Sequence, residues 1–265
     1  NGFIGKEVSK LMINSFNVRT IYLLDLKNSN WSSYELNHTH KKKFLKMDVK
    51  KTEDFKKILT NIDIIVDCIG STNHNFDNIK KINYDFRTNF FCKVNLLNEI
   101  SKLSRPMLYI SIGSLFKFGH QKKIGVKIKT NEVSSLDHQI LNKSLFEDFL
   151  KSVILKRDYF KCLILNIGNV YGYSKSVNYG MINELIVSFI RHKKFQYFFI
   201  PNKLRYKNVH YIEDLAISIC NEILKSCKIK KKSIFIEKNY FGKIINLEKL
   251  IEYLKLLYPR TKLIK

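Results

Sequence analysis

The chain has 265 residues, 45% of them hydrophobic, and a net charge of +24. That suffices for one large domain, or a domain with a small lobe, and no apolar run reaches the roughly 18–20 residues a membrane-spanning helix needs. The five cysteines (Cys68, Cys92, Cys162, Cys220, Cys227) are scattered with no C-x-x-C pair, which argues against a disulfide frame or a zinc site and for reduced thiols in a cytoplasmic protein.

Taken in order, the chain opens on Asn1-Gly2-Phe3-Ile4-Gly5, the back half of a glycine-rich phosphate loop, followed by a helix over 6–13. Such glycines let backbone approach a pyrophosphate, and the helix N-terminus supplies N–H donors. The strand that normally leads into such a loop is expected ahead of Asn1, so the N-terminus reads as truncated. Thr20–Asp25 (TIYLLD) reads as a buried parallel strand ending in an acid. An acid about 20 residues past the loop accepts hydrogen bonds from ribose hydroxyls and repels a 2′-phosphate, favouring NAD over NADP; Lys27 softens that preference.

Lys43–Asp48 is a third short strand, Thr52–Thr60 a helix, and Ile62–Gly70 (IDIIVDCIG) a strand broken by glycine. Phe86–Leu103 has Phe90, Val94, Leu97 and Ile100 at helical spacing. Pro106–Gly113 is a strand, Ser134–Val153 a serine-capped helix, and Tyr159–Ile167 a strand followed by a turn over Gly168–Gly172. Beyond Tyr173 the rhythm changes: a helix over Met181–Arg191, an apolar run over Phe195–Ile200, a helix over Tyr211–Ser226, a strand over Ser233–Glu237 and a last helix over Leu247–Leu257. Alternating strands and helices predict a doubly wound, Rossmann-like parallel sheet of about seven strands, the first of them missing by truncation. A dinucleotide-binding domain over 1–172 and a small C-terminal substrate lobe over 173–265, partly returning to the sheet, follow from this.

The positive charge has three readings: a nucleic-acid or anionic membrane surface, a cleft for phosphate-bearing ligands, or the bias of a Lys-, Asn- and Ile-rich chain with only 3 Pro. Apart from Lys41–Lys43 and Lys228–Lys232 the basic residues are dispersed, and no aromatic-interleaved RNA-binding motif is present. No specific nucleic-acid partner and no metal site are expected.

Several segments in the right order resemble the extended short-chain dehydrogenase/reductases, the NAD-dependent epimerase/dehydratase group that modifies nucleotide sugars. They are Gly2-Phe3-Ile4-Gly5, Asp25, Asp48-Val49, Cys68-Ile69-Gly70, Asn89, Asn95-Leu96-Leu97, Asn169-Val170-Tyr171-Gly172 and Val209-His210-Tyr211-Ile212-Glu213-Asp214-Leu215-Ala216. The resemblance implies bound NAD, with Gly2 to Gly5, Asp25, Asp48, Val49, Cys68, Ile69, Gly70, Lys143 and Ile167 along the cofactor. It also implies a nucleotide-diphosphate sugar near Ser114, Asn169 and Arg205, and a homodimer paired through the helices of Phe86–Leu103 and Ser134–Val153. The family's phosphate-binding Arg stands four residues before the His, where this chain has Tyr206; Arg205 and Lys207 flank that position.

The family's chemistry uses a Tyr to move a proton, a Lys one helical turn later, and a Ser or Thr on the reacting oxygen. Ser114, five residues before Gly119, and Lys143 match the last two. The Tyr position is Gln139, and an amide has no proton that titrates in water. His138 is adjacent but faces elsewhere on a helix. Where the family's dehydratases carry Thr-Asp-Glu, Ser114-Leu115-Phe116 has no acid–base pair, so 4,6-dehydration is disfavoured. The expected activity is epimerisation or ketosugar reduction on a nucleotide sugar; the alternative is a catalytically silent dinucleotide-binding sensor or partner subunit. A nucleic-acid-binding protein on a Rossmann fold is a third reading, resting on charge alone.

Overall fold

The computed structural model describes residues 2–15, 18–25, 41–48, 52–70, 79–118, 138–154, 159–173, 180–191, 195–196, 206–260 and 263–264. The elements run α1 (Phe3–Ser15), β1 (Thr20–Asp25), β2 (Lys41–Lys46), α2 (Thr52–Leu59), β3 (Ile64–Asp67) and α3 (Ile79–Phe86). A π-helical turn (Arg87–Phe91) carries α3 into α4 (Cys92–Ser101), followed by β4 (Met107–Ser114) and a 3₁₀ turn (Leu115–Phe118). Then come α5 (His138–Ile154), β5 (Phe160–Ile167), β6 (Asn169–Tyr171), α6 (Met181–Ile190), β7 (Phe195–Gln196) and β8 (Tyr206–Tyr211). The chain continues through α7 (Ile212–Lys228), β9 (Ile234–Asn239), β10 (Lys243–Asn246), α8 (Leu247–Leu257) and β11 (Leu263–Ile264).

β3, β4, β5 and β9 form a parallel sheet in that order, and β1 and β2 form a parallel pair. β4 and β5 are nearly uniform apolar runs because helices cover both faces. Alternation along β4 sends Met107 and Tyr109 to one face, against Leu96, Leu97, Phe146 and Leu150. Leu108, Ile110 and Ile112 go to the other, against Leu215, Ala216 and Ile219 of α7 and Val8 of α1. Each such aliphatic side chain stabilises by about 1.5–3 kcal/mol when fully buried.

β1 and β3 do not pair with each other among the described residues. A cavity of about 1000 Å³ lies between them, walled by the edges of both strands and reaching Gly2 and Gly5 at one end.

Several element predictions need correction. The turn expected at Gly168–Gly172 contains β6, which pairs in parallel with β8. β8, where the sequence reading has no element before a helix expected from Tyr211, is a strand, held between β6 and the antiparallel β10. Its mixed residues, Tyr-Lys-Asn-Val-His-Tyr, carry no clean alternation. β2 stops at Lys46, so Asp48 stands beyond the strand end. The helix expected from Phe86 begins at Ile79 and passes through the π turn. Ser134, Val49 and Arg205 lie outside the described residues.

Candidate functional site

The phosphate-loop remnant is placed by the sheet. The first helical bond of α1 runs from Lys6 N to Gly2 O at 3.0 Å, so the preceding turn's N–H groups lie outside the helical ladder. A side chain at Gly5 would come within 3.3 Å of Cys68 Cβ, so glycine lets α1 press against the end of β3. Gly2, Gly5, Asp25, Cys68, Ile69 and Gly70 all line the cavity between β1 and β3. Phe3 and Ile4, half-buried, form the first turn of α1. Asp48 is half-buried and is not among the residues lining the cavity.

The turn Cys68–Gly70 is fixed by a buried group that sequence reasoning missed. Asp67 Oδ1 accepts from Ile69 N at 2.9 Å. Its Oδ2 accepts from Tyr109 Oη at 2.7 Å and pairs with Lys93 Nζ at 2.8 Å, both side chains of the pair being fully buried. Burial, with Asp67 next, pushes the Tyr109 phenol well above its usual range. Burial likewise pushes the Cys68 thiol up to about 12, so it stays protonated at neutral pH. The signal was legible: an Asp inside an apolar strand and a Lys among Leu96, Leu97 and Ile100 are each costly unless they find one another.

Lys143 lies beside that turn. Its Nζ is 3.7 Å from where a Gly70 side chain would stand, and Asn89 Oδ1 of the π turn is 3.9 Å from the same point. Burial, then the neighbouring Lys93 charge, lowers the Lys143 pKa, opposed by Glu147 and Asp67. Among the described residues Lys143 makes no ion pair. Gln139, one turn earlier on the same face of α5, is buried. Thr88 in the π turn lines the cavity with a buried hydroxyl that has no hydrogen-bond partner among the described residues.

Ser114 ends β4, opposite the buried Ile167 of β5. Its Oγ accepts from Phe116 N at 3.2 Å. Three residues on, Lys117 is buried between two carboxylates: it pairs with Glu147 Oε2 at 2.5 Å and also with Glu237 of β9. Asn166 Nδ2 donates to Glu237 at 2.7 Å and to Asn239 at 2.8 Å. Gly113 admits this network, since a Cβ there would meet Asn166 Oδ1 at 2.3 Å and Glu147 Oε1 at 2.5 Å. Burial raises the Glu147 pKa, against the pull of Lys117. Asn169 opens β6 and donates to Asn208 O at 3.3 Å. His210 is buried on β8, with its Nε2 unpartnered among the described residues. The fold therefore gathers the glycine turn, Asp25 and Cys68–Gly70 on one cavity, sets Lys143 against Gly70, and puts Ser114 and Ile167 side by side.

Residues 1–96 match the model of the 3-beta hydroxysteroid dehydrogenase/isomerase family. No curated protein matches the chain. Solved structures do. UDP-glucose 4-epimerase from Bifidobacterium longum, in complex with NAD+ and UDP, superposes with a TM-score of 0.80 at 16% identity, over 99% of this chain and 83% of that one. UDP-glucuronic acid 4-epimerase from Bacillus cereus, in complex with UDP-glucuronic acid and NAD, gives 0.79 at 20% identity, over 100% and 83%. ADP-L-glycero-D-manno-heptose-6-epimerase from Helicobacter pylori gives 0.72 at 17% identity, over 99% and 81%. The chain has the Rossmann-type α/β fold of these epimerases.

Proposed function

We propose that the chain is an NAD-dependent enzyme acting on a nucleotide-diphosphate sugar, by epimerisation or ketosugar reduction. The observation that carries this reading is the placement of Lys143 against Gly70 at the cavity that also holds Gly5, Asp25 and Thr88. A dinucleotide fits these residues: the N–H groups of the turn before Lys6 lie outside the helical ladder of α1, and the Thr88 hydroxyl lacks a partner among the described residues. The matched family model covers residues 1–96, which hold the glycine turn, Asp25 and Cys68–Gly70.

NAD, when bound, would accept and return a hydride. The chain's own part is to position and to move a proton. Asp25 binds the adenosine ribose, and Lys143 the other ribose. Ser114 orients the reacting hydroxyl through its Oγ, itself held by Phe116 N. Gln139 cannot move the proton. Lys143, one turn along the same helix face, is titratable, and burial lowers its pKa. Leu115 and Phe116 supply no acid–base pair for dehydration. Calorimetric titration with NAD and with UDP-hexoses tests the reading; absence of binding by both would end it.

A homodimer fits the apolar residues exposed on two adjoining helical stretches: Tyr84 and Phe91 on one, Leu141 and Leu145 on the other. Sedimentation of the protein and of Leu145→Glu tests this. No helix among the described residues is long and apolar enough to cross a membrane, and the proposed setting is the cytoplasm.

A further inference from the structure

Two lysines converge on the short turn from Asp67 to Gly70, and one carboxylate serves them. Lys93 of α4 pairs with Asp67 Oδ2 at 2.8 Å. Its Nζ also stands 5.3 Å from the centroid of the Phe146 ring, and Phe146 lies three residues after Lys143 on α5. Residues three apart share a helix face, so Lys93 packs against the face that carries Lys143. Lys143 meets the same turn at Gly70, which lines the cavity. The acids around Lys143 are committed elsewhere. Asp67 gives Oδ1 to Ile69 N, and Oδ2 to Tyr109 Oη and Lys93. Glu147, one turn beyond Lys143, is taken by Lys117. Burial keeps the Tyr109 phenol and the Cys68 thiol protonated, so neither adds a negative charge.

Two ammonium groups in one buried cluster repel, and the one without a carboxylate yields its proton first. Lys93 is held charged by Asp67, whereas Lys143 has no such partner among the described residues. We propose that Lys93 is a positioning residue for Lys143: anchored by Asp67, its ammonium repels a proton from the Lys143 amine and leaves that amine able to accept one beside Gly70. Burial, then Lys93, lowers the Lys143 pKa, against Glu147 and Asp67. The charge state of Lys143 belongs to the chain alone. The use of the amine as proton acceptor, in place of Gln139, rests on the nucleotide-sugar reading.

The test is the pH titration of isotope-labelled lysine Cε resonances by NMR, with Lys143 assigned through Lys143→Met. It is run on the native chain, Lys93→Met, Lys93→Arg, and Lys93→Met combined with Asp67→Asn. The Lys143 midpoint should lie below those of exposed lysines in the native chain and stay low in Lys93→Arg, which keeps the charge. It should rise most in Lys93→Met, where the bare Asp67 carboxylate now attracts the proton, and less in the double variant. If Lys93→Met does not fold with Asp67 unpaired, the double variant, which buries no lone charge, carries the test. With NAD and a labelled UDP-hexose bound, the rise of hydride transfer with pH should follow the same midpoints. Each pH unit by which the midpoint rises should cost about tenfold in rate at neutral pH. A native midpoint equal to those of exposed lysines, or one unmoved in the double variant, overturns the proposal. The expected titrations without any hydride transfer leave the Lys93 assignment standing and end the nucleotide-sugar reading.

Discussion

Lys117 Nζ lies 2.5 Å from Glu147 Oε2, and this buried pair ties the turn after Ser114 to the helix that carries Lys143 one turn earlier. Glu237 of β9 closes the network from the far side of β5. Two elements of the candidate site, remote in sequence, are thereby held at one spacing.

Removing one partner of a buried pair leaves the other charge uncompensated. Lys117→Met is expected to cost about 3–5 kcal/mol in denaturant unfolding, and Lys117→Met with Glu147→Gln to regain much of it. Additive single effects would show that the pair is not coupled.

The pair Asp67–Lys93 and the Lys117 network bear on what a sequence shows. β1, β4, β5 and α8 were legible because their apolar runs and periodicities leave one physical solution. Gly5, Asp25, Lys143 and Ser114 stand out by loop and helix spacings, and the fold puts Gly5 and Asp25 on one cavity and Lys143 against Gly70. Lys117 and Glu147 were not: each reads as one charge among many in a Lys-rich chain until the fold buries both. β6 and β8 escaped because short strands in a small sheet take their identity from their partners. Asp48, singled out by motif, stands two residues past the end of its strand.

His210 gives a pH signature. Burial lowers its pKa in the folded chain from the usual 6.5, against a backbone hydrogen bond at Tyr240. The unfolded state then binds the proton first as pH falls. Stability from the neutral imidazole is present above about pH 6.5 and is lost below it, with a slope of up to about 1.4 kcal/mol per pH unit. His210→Gln should remove that segment from the difference curve between pH 7 and pH 5. A variant that keeps the native slope would show that His210 is not its source.

Asp25 ends β1 at the cavity. NAD should bind more tightly than NADP, and Asp25→Asn should narrow the gap by about tenfold, equivalent to 1.4 kcal/mol. Calorimetric titration of both cofactors decides it; equal native affinities would take Asp25 off the ribose.

Hydride transfer is the most direct measurement of nucleotide-sugar redox chemistry on this chain. It can be followed as deuterium passing from C4-labelled UDP-hexoses to bound NAD, for the native protein and for Gln139→Tyr. The native protein is expected to transfer the label slowly. Gln139→Tyr should be faster, approaching the roughly 10²–10⁴-fold that a positioned general acid–base supplies, because Lys143 already stands one turn away to lower the new phenol's pKa. Failure of both proteins to label the cofactor, with NAD and sugar bound, would contradict the proposed function.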